Sequence, residues 1–474
     1  MLRSLRLGFA TNSSSAHSII FDTAGAAGAA LPHAPLLPAG LGRADYVAAA
    51  ARDKAVCLLM EPAIAQSAHA RLAIEDVLMS HGIDMAEVRA LADHPDFSEM
   101  ESLPSSGLSM ARAAGIPLPL WVQFLMSDAV ALVGYDDNDD APFARLEAEG
   151  RLVDVAHRWP MRLRHDPGVP GGAITAYDTR DGTKFRWAPG PYEKATAPEL
   201  VDVKVTDFCR YGCAFCYQGS TEAGAHACPD HLDAVFRELA AQGVFEIAIG
   251  GGEPAHHPAF ADILHSAVGH DLTVNFTAFG LDWARDPGVL SALSRRNCGI
   301  GLSVHSKRDV TKILRARDQL KENGLLGIHL MAQAVVGATP MTTLEPLLEA
   351  CIAHDIPLLL LGYKTTGRGE AYARKRVPEL RMQALLERAR DAARAVPTWR
   401  TGFTLSVDTA FLEAYGPLLD RLDVPAVLRT SPEGKFSMYV DAVTRRCGPS
   451  SYCPEDAMRR YEAPDELRAH FAAF

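Results

Sequence analysis

The sequence predicts an α/β protein whose central part is an incomplete barrel of parallel strands. An α+β domain precedes the barrel and a short extension follows it. Three observations carry that expectation. From about residue 199 to 411, strand and helix patterns alternate, as they do around a parallel sheet. The units number six or seven, short of the eight that close a barrel. Pro189, Pro191 and Pro198 punctuate the chain just before the alternation begins.

The elements follow in order. Residues 200–206 (Leu-Val-Asp-Val-Lys-Val-Thr) read as a buried strand. Residues 229–243 carry Leu232, Val235, Phe236 and Leu239 at helical spacing, and 244–249 is again a strand. Further strands are expected at 272–279, 299–304, 327–336, 357–363 and 403–407, with helices at 309–323, 343–354 and 378–395. These boundaries set a barrel domain at 195–411 and a C-terminal extension at 412–474.

Residues 1–190 are a separate α+β domain. A strand pair is expected from 5–9 and 17–21, then a small-residue linker at 24–28 and mostly helical patterns to about Phe124. Near the end, 174–177 and 184–187 flank Asp181-Gly182, a hairpin signal. Substrate recognition and a structural or dimerising role fit this domain equally.

The chemistry lies on two motifs. Cys209, Cys213 and Cys216 stand in C-x3-C-x2-C spacing directly after the first barrel strand. Gly251-Gly252-Glu253-Pro254 begins 35 residues after the last cysteine, at the end of the second. Both motifs thus fall at the same end of adjacent parallel strands, where barrel folds place their chemistry. Three thiolates can hold three irons of a [4Fe-4S] cube and leave the fourth open. A zinc site completed by His226 or Cys228 is the plainer reading of the cysteines alone.

Together the two motifs resemble those of the radical S-adenosylmethionine (SAM) superfamily. The resemblance implies a partial (β/α)6 TIM-like barrel, a [4Fe-4S] cluster on Cys209, Cys213 and Cys216, and SAM on the open iron. It implies that Phe215 packs near the adenine and that Glu253 or adjacent carbonyls hold the amino group of SAM. Gly251 and Gly252 are expected to let backbone approach that ligand, with Pro254 fixing the turn. A reduced flavodoxin or ferredoxin would supply one electron, breaking SAM into methionine and a 5′-deoxyadenosyl radical that abstracts hydrogen from a substrate carbon.

Further site residues are expected on the strand ends. Ser303 is placed where the family often contacts SAM, and period-2 alternation turns His305 to the same face as an acid or base. Asn275 and Thr277 share a face and could reach the ribose. Gly367-Arg368-Gly369 resembles a run of the peptide-modifying branch, with Arg368 placed to pair with a carboxylate. Tyr217, Tyr363 and Lys364 are weaker candidates.

The extension resembles a degenerate SPASM or twitch module. Residues 434–439, Cys447 and Cys453 echo its start, but Arg429 and Thr430 stand where its first cysteine would be. Two cysteines would need help from Cys298 or Cys351 to hold an auxiliary cluster; a hairpin and terminal helix with incidental thiols is expected instead. Residues 136–140 with Glu147 mimic a calcium loop, but Ala141 and Pro142 stand where its turn needs glycine, so a solvated acidic loop is expected. The Asp-x-His-x-x-Gly signature of cobalamin binding is absent.

Composition bounds the rest. The chain of 474 residues is 48% hydrophobic, enough for two or three packed domains. No apolar run is long enough to span a membrane, and nine cysteines with a cluster motif fit the reducing cytoplasm. A net charge of −11 disfavours extended nucleic-acid binding. The expected substrate is a peptide or protein side chain, with a precursor peptide as partner. A small metabolite or nucleoside, or a non-catalytic iron-sulfur or zinc regulator, are the alternatives.

Overall fold

The computed structural model describes residues 2–6, 16–22, 46–48, 50–60, 67–92, 111–127, 130–135, 152–154, 161–179, 182, 184–375, 377–395, 403–422 and 433–474. Residues 24–28, 136–140, Glu147, Asp181, Arg429 and Thr430, singled out above, lie outside them. The chain divides between Tyr192 and Glu193 into two compact units.

The first unit opens with strands β1 (Leu2–Arg6), β2 (Ala16–Asp22) and β3 (Tyr46–Ala48). Helices α1 (Ala51–Met60), α2 (Ala68–Ser80), α3 (Met85–Ala92) and α4 (Leu118–Met126) follow. Strands β4 (Val130–Tyr135), β5 (Leu152–Asp154), β6 (Met161–Asp166), β7 (Ala173–Asp178) and β8 (Lys184–Trp187) complete it. The strands form two antiparallel four-stranded sheets, ordered β1-β8-β7-β6 and β3-β4-β2-β5.

The expected pairing of the first two strands is therefore incorrect. β1 pairs with β8, whereas β2 lies in the other sheet between β4 and β5. Alternation marks a strand but leaves its partner unspecified. The hairpin β7–β8 does form, with Ile174 opposite Trp187. Trp121, Phe124, Ile174 and Trp187 pack in one apolar core. Lys54 is buried there because its ammonium donates to the carbonyls of Ser127 (2.9 Å) and Val130 (3.0 Å).

The second unit is a run of β/α units. Strand β9 (Leu200–Thr206) leads through a long loop to α5 (Pro229–Ala241), which starts on a proline that needs no partner for a missing N–H. Then come β10 (Glu246–Gly251), α6 (Phe260–Gly269), β11 (Thr273–Ala278), α7 (Pro287–Leu293), β12 (Cys298–Ser303) and α8 (Val310–Glu322). The run ends with β13 (Ile328–Val335), α9 (Met341–Ala353), β14 (Leu358–Leu361), α10 (Glu379–Ala395), β15 (Leu405–Val407) and α11 (Thr409–Arg421). All neighbouring strand pairs from β9 to β15 are parallel, giving seven strands in sequential order, as the seven strand patterns of the sequence indicate.

The C-terminal segment extends this sheet. Strand β16 (Ser437–Asp441) pairs in parallel with β9, and β17 (Arg446–Gly448) and β18 (Arg459–Arg460) add antiparallel strands outside it. Helix α12 (Glu466–Ala472) buries Leu467 and Phe471 in the same core as the barrel. The sheet order therefore runs from β15 to β18, and among the described residues nothing closes β15 back onto β9.

Alternation along the strands separates two chemistries. Val201, Val203, Ile247, Ile249, Val274, Phe276, Ile300 and Leu302 face the helices and form the core. The opposite face carries Asp202, Lys204, Glu246, Asn275, Thr277, Gly301, Ser303 and Gln333, a polar lining on the concave side. Among the described residues, no helix is long and apolar enough to cross a membrane.

Candidate active site at the ends of the parallel strands

The loop after β9 carries the three cysteines and is tied back onto its own root. Thr206 Oγ1 accepts from the Phe208 amide at 3.0 Å and lies 2.8 Å from His226 Nδ1. The amide of Cys209 donates to the carbonyl of Thr221 at 3.0 Å, and that of Asp207 to Ala225 at 2.8 Å. Within the loop, Cys216 donates to Cys213 and Gly219 donates to Cys216, both at 3.1 Å.

Cys209, Cys213 and Cys216 are free and half-buried. Burial pushes the Cys209 thiol up, while the N–H groups of Tyr211 and Gly212 act in the opposite direction. Burial also raises Cys213, and the nearby sulfurs of Cys216 and Cys209 add to it. Three thiols thus lie within electrostatic reach of one another. Among the described residues, no three His, Cys, Asp or Glu side chains converge as a single ion requires, whereas a cube places each thiolate on a different iron. Cys228 is exposed at the N-terminus of α5 and His226 is held by Thr206, so neither completes a zinc set.

The glycine motif crosses the root of this loop. The pairing of β9 with β10 slips between Gly250 and Gly251, a bulge that sets Gly251 opposite Thr206. Gly251 holds φ +125°, and a Cβ on it would overlap the Thr206 carbonyl; one on Gly252 would overlap that of Phe208. The amides of Gly252 and Glu253 donate to those same carbonyls, at 2.7 and 3.0 Å. The glycines are thus required by the cysteine loop's backbone.

Glu253 is 3% exposed and begins the turn that Pro254, also buried, continues. Its Oε2 accepts from the Phe279 amide at 2.9 Å, while Oε1 is buried without a partner. Burial pushes its carboxyl up to about 7, opposed by the amides of Phe279 and Gly280 and by Lys312. An orphaned carboxylate oxygen beside the thiols is what an incoming ammonium would satisfy. These residues fit the cube and the amino group of SAM.

An aromatic and cationic rim surrounds them. The Phe215 ring meets His305 edge-on at 5.4 Å and Tyr372 at 5.8 Å. His305, though exposed overall, also lies 5.2 Å from the Phe279 ring, and desolvation by its neighbours holds its imidazole below the usual range. It sits beyond the end of β12, in the turn whose amides Asp309 caps at 2.8 and 2.9 Å, so alternation from Ser303 does not set its direction. The Lys312 ammonium bridges the carbonyls of Phe279 (2.7 Å) and Ser303 (3.0 Å), joining the ends of β11 and β12. Tyr211 packs 4.5 Å from Phe279, and burial pushes its hydroxyl up to about 12. Sequence reasoning missed Lys312 and Tyr211, since a lysine in a helix's first turn and a loop tyrosine look unremarkable.

Three expected residues are engaged by other groups of the fold. Asn275 donates to Glu246 at 2.8 Å and accepts from the Gly299 amide at 2.8 Å. Those partners stand at the starting ends of their strands, so the Asn275 amide is turned away from the cysteines. Thr277 Oγ1 donates to Gln333 at 3.3 Å, and Gly301 makes room for that glutamine. Arg368 is turned to backbone instead of a carboxylate: Nε donates to Cys213 O at 3.0 Å and Nη1 to Gly219 O and Ser220 O at 3.1 and 2.8 Å.

Below the loop lies a half-buried polar cluster. The Lys364 ammonium stands 4.7 Å from the centroids of both Tyr217 and Tyr452, and 3.7 Å from Asp408. Burial opposes its charge, but Tyr217, Asp408, Asp202 and Glu433 hold it above its ordinary range. Burial pushes Asp202 up to about 6 and Glu433 up to about 7, both moderated by Lys364. Tyr363 donates to the Gly369 carbonyl at 2.7 Å. Cys447 is buried and Cys453 half-buried near it, and burial holds the Cys447 thiol up to about 12. Cys298 and Cys351 are embedded in the core of the barrel wall.

The family model of the Radical SAM superfamily matches residues 203–343. The mycofactocin maturase MftC of Mycobacterium ulcerans (strain Agy99) is 30% identical over 107 residues, 22% of this chain and 27% of that protein. The match thus spans about a quarter of the length of that curated relative. Streptococcus suis SuiB bound to S-adenosylmethionine is similar at 14% identity and TM-score 0.44, over 59% of this chain and 69% of that one. Native anSMEcpe with bound AdoMet and Cp18Cys peptide is similar at 15% identity and TM-score 0.41, over 58% and 80%. Three thiols, a crossing Gly-Gly-Glu-Pro turn and the match to the Radical SAM superfamily model over residues 203–343 meet on the same strand ends.

Proposed function

We propose that this protein is a radical SAM enzyme that modifies a side chain of a peptide or protein. The observation that carries the reading is the junction of the two motifs. Glu253, with one oxygen unpartnered, is hydrogen-bonded through its amide to the very loop that presents Cys209, Cys213 and Cys216. The cofactors of the superfamily, a [4Fe-4S] cluster and SAM, supply when bound a one-electron cleavage of the sulfonium and a hydrogen-abstracting 5′-deoxyadenosyl radical.

The chain's own residues bind, orient and exclude water. Cys209, Cys213 and Cys216 would hold three irons, and Glu253 would take the SAM ammonium through Oε1. Phe215, Phe279 and Tyr211 offer apolar surface around the site for an adenine, and Ser303 stands at the strand end beside them. The peptide reading rests on the name of the similar maturase and on the polar concave face beneath the loop, where Asp202, Glu433 and Lys364 could anchor a substrate. A reduced flavodoxin or ferredoxin would donate the electron, in the reducing cytoplasm that nine cysteines suit.

Anoxic reconstitution with iron and sulfide tests the reading. The protein should then release 5′-deoxyadenosine from SAM with dithionite, and Cys213→Ala should lose both the cluster absorbance and that product. Cluster binding without any 5′-deoxyadenosine would identify a sensor instead. Mass spectrometry after co-expression with a precursor peptide from a neighbouring gene tests the substrate class.

A further inference from the structure

The segment that follows β14 is a clasp on the cysteine loop. The Arg368 guanidinium reaches three loop carbonyls, those of Cys213, Gly219 and Ser220. Its own amide donates to Cys216 O at 2.9 Å, and Thr366 Oγ1 donates to Tyr217 O at 3.1 Å. Gly367 holds φ +54°, and a Cβ on it would lie 2.8 Å from Gly219 N and 2.9 Å from Cys216 O. Only glycine allows that approach. Tyr363 fixes the turn from behind, through the Gly369 carbonyl.

We propose that Arg368 is a positioning residue that orders the cysteine loop before iron arrives. The inference rests on the radical SAM reading and deepens its cluster site. Ordering a loop costs conformational entropy at every residue, and this one has few internal backbone bonds to offset it. The guanidinium offers a rigid fork of donors, so one side chain can pin several carbonyls that the loop leaves outward. Because C=O and N–H are opposed across a trans peptide, pinning the carbonyls of Cys213 and Cys216 also sets the amides of Ala214 and Tyr217. The role requires no contact with substrate, SAM or the transferred hydrogen. A lysine would keep the charge without the fork, and a glutamine would keep neither.

The charge has a second consequence. Arg368 Nε stands 3.0 Å from the Cys213 carbonyl, which fixes a positive charge beside the proposed cluster. A fixed positive charge at that distance stabilises the reduced cluster as well, so its loss should move the midpoint potential to more negative values.

Two measurements test the proposal on Arg368→Lys and Arg368→Gln. In iron-free protein, hydrogen exchange at the amides of Cys209, Cys216 and Gly219 should quicken roughly tenfold or more in both variants, with the rest of the barrel unchanged. In reconstituted protein, the midpoint should fall in Arg368→Gln and stay near that of the wild type in Arg368→Lys. Wild-type protection of those amides in both variants would overturn the proposal. If Arg368→Gln fails to fold, Arg368→Lys decides alone on the same comparison. The exchange measurement needs no cofactor, so its failure leaves the radical SAM reading standing, whereas a wild-type protein that binds no cluster sinks that reading instead.

Discussion

Gly251 and Thr206 face each other across the bulge between β10 and β9, with no room for a side chain between them. The glycine's φ of +125° turns its Cα onto the threonine carbonyl, which also accepts the Gly252 amide at 2.7 Å. This contact joins the two motifs that are 35 residues apart in the chain.

Gly251→Ala should therefore damage the loop before it damages any chemistry. A strained φ and an overlap with backbone together cost roughly 2–5 kcal/mol, by the usual scale of such effects. Denaturant unfolding of the iron-free protein reads the cost, and iron content after reconstitution reads its consequence. Unchanged stability would show that the backbone relaxes and that the contact is unimportant.

Glu253→Gln separates the motif's structural and binding roles. The amide oxygen of glutamine still accepts from Phe279, so fold and cluster content should survive. The variant loses the charge that would meet the SAM ammonium, worth about 1.5–3 kcal/mol for a charged hydrogen bond, or a tenfold to hundredfold weaker affinity. Calorimetric titration of the reconstituted protein with SAM measures it. Equal affinity would reassign the ammonium to backbone carbonyls.

Asp202 gives a pH dependence with a definite sign. Burial raises its folded pKa to about 6, above its unfolded value, so its contribution favours the fold below about pH 4 and is lost as pH rises through 6. Asp202→Asn removes that loss. The variant should match the wild type near pH 4 and exceed it by up to about 3 kcal/mol at pH 8. Denaturant midpoints at both pH values test it. A variant less stable at pH 8 would mean that Asp202 is held mainly by its attraction to Lys364.

Much of the barrel was legible because its signals are local. Strand 200–206 coincides with β9, and the later strands differ by a residue or two at their ends. Pairing was less legible. β1 and β2 carry similar strand patterns, yet one joins β8 and the other β4, since the energy of pairing lies in neighbours distant in sequence. Asn275 and Thr277 were placed on the correct strand, but alternation gives a face and not a partner, and the Asn275 amide bonds to groups at the strand starts.

The sequence by itself determined the parallel α/β run, the three-thiol loop and the glycine turn that follows it. Each rests on spacing or periodicity within a few dozen residues. Tertiary structure alone decided why those glycines are needed, which edge β16 extends and what Arg368 holds. These are approaches between segments separated by tens to hundreds of residues, where the partner is a backbone carbonyl. Every residue carries one, so composition and spacing leave no mark by which to foresee which carbonyl will be met.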